Sequence, residues 1–166
     1  IVPNSLFGGL IPVGDRDTSY FQIGAYVEHV PTGLFLYGTY GHEFIDSANA
    51  ATASPSGFSL DSDDAFYLKA GVKQKWFPIG QTVPYVEYQR TEDMLGYFAL
   101  EAGATGSEIE RWGVGVVQDI DAAAMSLWLA YKHYDGEITG PAATCTTLCG
   151  ELDSFQRVEF GGVILF

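Results

Sequence analysis

The segment Arg111-Trp112-Gly113-Val114-Gly115-Val116-Val117-Gln118-Asp119-Ile120-Asp121-Ala122-Ala123-Ala124-Met125-Ser126-Leu127-Trp128-Leu129-Ala130-Tyr131-Lys132 decides the fold. Before the polar break at Asp119-Ile120-Asp121, the apolar residues Trp112, Val114 and Val116 alternate with Arg111, Gly113, Gly115 and Val117. After it, Met125, Leu127, Leu129 and Tyr131 alternate with Ser126, Trp128, Ala130 and Lys132. A period of two belongs to a strand with two unlike faces, because successive side chains point to opposite sides. Two such strands joined by a tight turn make an antiparallel hairpin.

The same alternation recurs in Tyr20–His29, Phe66–Trp76, Val83–Thr91 and Arg157–Phe166, and Leu34–Phe44 reads as a further strand whose two faces are not told apart by it. Each run approaches the roughly 9–11 residues with which a tilted strand crosses a bilayer, where strands of soluble sheets average about 5–6. The connections alternate too. Val30-Pro31-Thr32-Gly33, Phe77-Pro78-Ile79-Gly80 and Asp119-Ile120-Asp121 are tight, whereas Ile45–Asp64, Glu92–Glu108 and Gly136–Ser154 are long and carry most of the acid. Short turns on one side and long loops on the other are the plan of a transmembrane barrel, and a soluble sandwich has no reason to keep it. The expected fold is therefore all-β: an antiparallel transmembrane β-barrel, with residues 1–166 forming a single domain of seven or so strands. Seven strands leave two open edges, and unpaired backbone groups there cannot face lipid. Either further strands ahead of this sequence or strands of other chains would close the sheet, and the first is the expectation.

Composition excludes one class of partner. With 21 acidic against 8 basic side chains, the net charge is -13. No basic patch is available to displace counterions from phosphates, so nucleic acid is not an expected partner. No run approaches the roughly 20 apolar residues of a membrane-crossing helix, which is no obstacle to a barrel. Cys145 and Cys149 stand alone in a polar run, a poor zinc site. A loop-stapling disulfide is the better reading, with two free thiols as the alternative.

The closing segment Phe155-Gln156-Arg157-Val158-Glu159-Phe160-Gly161-Gly162-Val163-Ile164-Leu165-Phe166 resembles the C-terminal signal of bacterial outer-membrane proteins. Val158, Phe160, Ile164 and Phe166 occupy the alternate apolar positions of that signal, with Gly162 a weak member. The resemblance implies an insertion signal at Phe160, Ile164 and Phe166, read by the barrel-insertion machinery of a Gram-negative outer membrane. Lys75-Trp76-Phe77-Pro78-Ile79-Gly80 and Gly115–Met125 extend the likeness to the C-terminal portion of alphaproteobacterial porins. That family implies a larger barrel, about 16-stranded, since channels need about 16–18 strands. It also implies a homotrimer, and a passive channel for ions and small hydrophilic solutes.

In the assigned phase Lys69, Lys73, Lys75, Arg111, Lys132 and Arg157 share the face opposite the apolar row, together with Glu28, Glu87 and Glu159. Arg or Lys at the lipid midplane costs about 2–4 kcal/mol, so this face should meet water. Lys69, Lys73, Arg111, Lys132, Arg157, Glu28, Glu87 and Glu159 are accordingly the expected pore lining, unless they form a salt-bridge ladder filling a small closed barrel with a structural or adhesion role. The external acid favours cations at the mouth and the internal Lys and Arg favour anions deeper in; these pull in opposite directions. Tyr20, Tyr40, Trp76, Phe77, Tyr88, Tyr134 and Phe166 are candidates for aromatic girdles.

No cofactor or resident metal is expected. Asp61-Ser62-Asp63-Asp64 lacks the Gly and distal Glu of an EF-hand loop, leaving at most weak divalent bridging to lipopolysaccharide. For catalysis, none of His29, His42 and His133 belongs to a His-x-Ser pair, and His42-Glu43 is followed by Asp46 where a zincin needs His. No Gly-x-Ser-x-Gly elbow occurs either. An enzyme is the poorer expectation.

Overall fold

A computed structural model describes residues 16–47, 62–93, 103–141, 143, 145 and 149–164. They form one antiparallel sheet of eight strands. In chain order these are β1 (Arg16–His29), β2 (Leu34–Ser47), β3 (Ser62–Val72), β4 (Gln74–Phe77), β5 (Gly80–Glu92), β6 (Gly106–Ile120), β7 (Met125–Thr139) and β8 (Gly150–Ile164). Across the sheet the order is β1-β2-β3-β5-β6-β7-β8, a meander, and β4 pairs with β5 alone. Among the described residues β1 and β8 are the edges and do not pair with each other.

Two boundaries differ from the sequence reading. The run Phe66–Trp76 is not one strand: it breaks at Lys73, whose N–H donates to the Gly33 carbonyl (2.8 Å) in the turn between β1 and β2. The Gln74 amide donates to the Thr32 carbonyl of the same turn at 2.6 Å. The strands also run further toward the long loops than the alternation showed, β6, β7 and β8 reaching 15 residues each. Glu108 and Glu137, read as loop, lie in strands, and Glu110 and Asp135 beside them are strand as well. Their pattern is hidden because the face that is apolar elsewhere is acidic there.

The short turns lock one end of the sheet. Pro31 presets the backbone of the first turn, where Thr32 and Gly33 both donate to the His29 carbonyl. Gly33 has φ +69°, and a side chain there would drive into the Lys73 carbonyl. The β4–β5 turn meets the β6–β7 turn through the Asp121 N–H donating to the Ile79 carbonyl (2.9 Å) and through Lys75 pairing with Asp121 (2.8 Å). A short 3-10 turn at Asp121–Ala123 completes the latter, with Ala124 left-handed.

Register sorts the side chains onto two faces, because directly opposed residues of antiparallel neighbours share a face. One face carries Phe21, Ile23 and Val27 of β1, Leu34, Leu36 and Tyr40 of β2, Phe66 and Leu68 of β3, and Val86 and Tyr88 of β5. It continues through Trp112, Val114 and Val116 of β6, Leu127, Leu129 and Tyr131 of β7, and Val158, Phe160 and Ile164 of β8. Most of these side chains are exposed, Phe160 to 84 %. Among the described residues no second layer covers the sheet, and no large side chain is completely buried. No described helix is long and apolar enough to cross a membrane, which says nothing of a crossing built from strands.

The apolar band slants. Val27, Leu36, Ala70, Val86, Val114, Tyr131 and Val158 form one cross-strand row. On β1 the band extends from that row toward the long loops, to Phe21; on β8 it extends toward the short turns, to Ile164. The displacement is six residues over the six steps from β1 to β8, one residue per strand. With a rise of about 3.3 Å per residue and about 4.8 Å between strands, the strands lie about 35° from the normal to the band. On six consecutive strands of the path the continuous band ends on the long-loop side in an aromatic residue, Phe21, Tyr40, Phe66, Tyr88, Trp112 and Tyr131, with Phe44 of β2 standing apart on the same face past His42. Beyond them stand His42, Asp64, Arg90, Glu110 and His133.

Candidate functional site

The opposite, inner face is better protected, and its charges converge. All eight expected lining residues lie on it or, for Lys73, continue its phase at the β3–β4 break. Lys69 is directly opposed to Glu87, Glu87 to Gly113, Gly113 to Lys132, and Lys132 to Arg157. Glu87 is the hub and only 8 % exposed. Tyr67 donates its hydroxyl to Glu87 Oε2 at 2.7 Å, while Arg111 and Lys132 each approach Oε1 to 3.8 Å. Lys132 donates to Glu159 at 2.9 Å, and Arg157 pairs with the same carboxylate at 2.5 Å. Lys69 has no carboxylate within ion-pair reach among the described residues; its ammonium rests over the Tyr85 ring, 3.6 Å from the centroid. Glu28 and Lys73 form a separate pair (2.8 Å) near the short-turn end, joined by the Tyr26 hydroxyl.

Glycines let this wall lie flat. The Tyr85 ring occupies the space over its opposed neighbour Gly115, where a Cβ would lie 2.5 Å from the ring. Phe35 lies in the same way over Gly71, with two ring carbons 2.7 Å from a Cβ there, and Trp128 over Gly161. Tyr20 crosses the diagonal neighbour Gly41, and the Glu87 stem rests against Gly113. Rings folded onto backbone in this way line the surface instead of projecting from it. The pattern was readable as glycine on the polar side of the alternation, but only register says which ring meets which glycine.

Several expected positions move. Lys75 is not part of the wall: it lies in β4, exposed, on Asp121 at the turn end. Tyr20 and Tyr134 are on the inner face, Tyr134 stacked on Phe155 at 4.3 Å, so neither belongs to the rim of the apolar band. Phe66, Trp112 and Tyr131 stand there with Tyr40 and Tyr88. Trp76 and Phe77 fall at the short-turn end, and Phe166 of the insertion signal lies outside the described residues. Phe160 and Ile164 sit on the outer face. Arg90, which the sequence reading passed over, lies on the outer face beyond the aromatic rim, paired with Glu92 and Glu108 at 2.7 Å each.

At the long-loop end Cys145 and Cys149 are joined by a disulfide, and Cys145 packs with Ala104 and Ile138. Outside the band, Glu108, Glu110, Asp135, Glu137 and Glu151 border a cleft of about 350 Å³. Among the described residues no three His, Cys, Asp or Glu side chains are placed to hold a metal ion. Asp61 of the Asp61–Asp64 run lies outside them, and Asp64 is engaged by His42 (2.8 Å) and Tyr40. His133 pairs with Asp135 at 2.9 Å. Neither His42 nor His133 is hydrogen-bonded to a serine or threonine hydroxyl among the described residues.

No family model, curated protein or solved structure matches the chain.

Proposed function

We propose that this chain is membrane-spanning: the apolar face of its sheet meets lipid as part of a closed barrel. The observation that carries this is the slanted, uncovered apolar band with its aromatic edge. A tilt of about 35° falls at the lower bound of the roughly 35–45° of transmembrane barrel strands, and rings at the band edge are where interfacial girdles stand. The acid beyond the edge then lies in water on the long-loop side. The terminal segment's resemblance to the outer-membrane insertion signal supports a bacterial outer membrane, with lipid, lipopolysaccharide and the insertion machinery as its partners. The open edges of β1 and β8 require further strands, because unpaired backbone in hydrocarbon costs several kcal/mol per group.

Within that class, the particular function proposed is passive diffusion of ions and small hydrophilic solutes through a water-filled channel, in a barrel of porin size and trimeric state. Support comes from the charged inner face and from rings lying down on glycine, which leave the space in front of the wall clear. In a small barrel the inward side chains fill the interior. The test is liposome swelling and single-channel recording with the full-length protein. Stepwise conductance is the expected result. A folded, inserted barrel without conductance would instead favour the structural or adhesive role.

A further inference from the structure

The inner wall treats its cations unequally. Lys132 and Arg157 are held close by Glu159, and Lys73 by Glu28. Lys69 and Arg111 are not. Arg111 reaches Glu87 only at 3.8 Å, beyond hydrogen-bond range, and otherwise faces the Tyr67 and Tyr134 rings. Among the described residues Glu87 Oε1 and Arg111 Nε are both without a hydrogen bond. Lys69, among the described residues, has its aromatic contact alone. Glu87 itself is sunk against Gly113 beneath these groups, so it gathers cations while exposing little of its own charge. Lys69, Arg111, Lys132 and Arg157 against Glu87 and Glu159 give this centre a formal excess of two positive charges, in a chain of net -13.

From this juxtaposition we infer that the Lys69–Arg111–Lys132 centre is a binding site for small oxyanions, carboxylates or phosphates, on the channel wall. The ammonium of Lys69 and the planar fork of Arg111 keep donors unspent, and charge-assisted bonds to an oxyanion would use them. Glu43 and Asp63 share this face nearer the long loops. A solute entering from that side therefore meets acid first and the cationic centre second. Cation enrichment at the mouth and anion binding at the centre are separate properties.

The inference rests on the channel reading, and the experiment separates the two. Full-length protein in planar bilayers carries a potassium chloride current, and inorganic phosphate is added as the probe. Saturable block is expected, with the half-blocking concentration raised about tenfold in Lys69→Gln and in Arg111→Gln, a loss of about 1.4 kcal/mol for each tenfold change. Lys69→Arg should restore it, and Lys75→Gln at the turn end should leave it unchanged. Circular dichroism must first show equal sheet content in every variant. A current that phosphate does not block, or blocks equally in Lys69→Gln, overturns the anion site and leaves the channel standing. Absence of any current overturns the channel. Phosphate calorimetry in detergent then decides the site alone: heat abolished by Lys69→Gln supports it, and no heat in the unmodified protein overturns it.

Discussion

Gly115 shows how much one missing methyl can decide on this wall. Because Tyr85 fills the space that a Cβ would occupy, Gly115→Leu must push a ring, which can swing, and not backbone, which cannot. The ring then leaves the wall and its place beneath Lys69. The expected outcome is a clear fall in single-channel conductance, with a loss of about 1–3 kcal/mol in unfolding free energy from overpacking. Its chain neighbour Val114 tests the other face. Val114→Arg places a charge in the middle of the apolar band, and unfolding in lipid or detergent micelles should register a loss of about 2–4 kcal/mol. Glu110→Arg, beyond the aromatic rim of the same strand, should cost far less. The chemistry of these positions was legible in the sequence: of the nine charges expected on the inner face, seven share it within the strands, Lys73 continues its phase at the β3–β4 break, and Lys75 falls away to the turn end. Their partners were not, since Glu87 meets Arg111 and Lys132 across two different strands and no local pattern encodes that register.

Whole elements were legible where one face is apolar and the other is not, which is why β1, β5 and the central parts of β6 and β7 were found with the correct phase. Alternation fails where both faces turn polar, and there the ends of β6, β7 and β8 read as loop although they are paired strand. It also fails at Lys73, where the first short turn interrupts an otherwise continuous pattern by taking the Lys73 N–H for itself. That junction yields a prediction of its own. Gly33→Ala combines a left-handed backbone with a collision against the Lys73 carbonyl, so it should destabilise the protein by at least about 1–2 kcal/mol. Hydrogen exchange should show faster amides at Lys73 and around the β1–β2 turn, while β7 and β8, remote from it, stay protected. Equal exchange in both proteins would mean that the turn does not hold the β3–β4 break in place.

At the scale of the molecule, a single layer of long strands, uncovered among the described residues, has only two ways to satisfy its apolar side: a second protein layer or lipid. The band's slope of one residue per strand, and the aromatic edge that follows that slope across six strands, are what lipid would demand of tilted strands. A protein layer has no need of a flat boundary cutting obliquely across the register. The measurement that bears most directly on this is a nitroxide scan along β6, with labels placed one at a time from Trp112 to Val117 in the full-length protein reconstituted into bilayers. Labels at 112, 114 and 116 should collide readily with oxygen dissolved in lipid and poorly with a water-soluble nickel complex. Those at 113, 115 and 117 should show the reverse. Loss of the alternation, or shielding of the even positions from both reagents, would contradict a lipid-facing band.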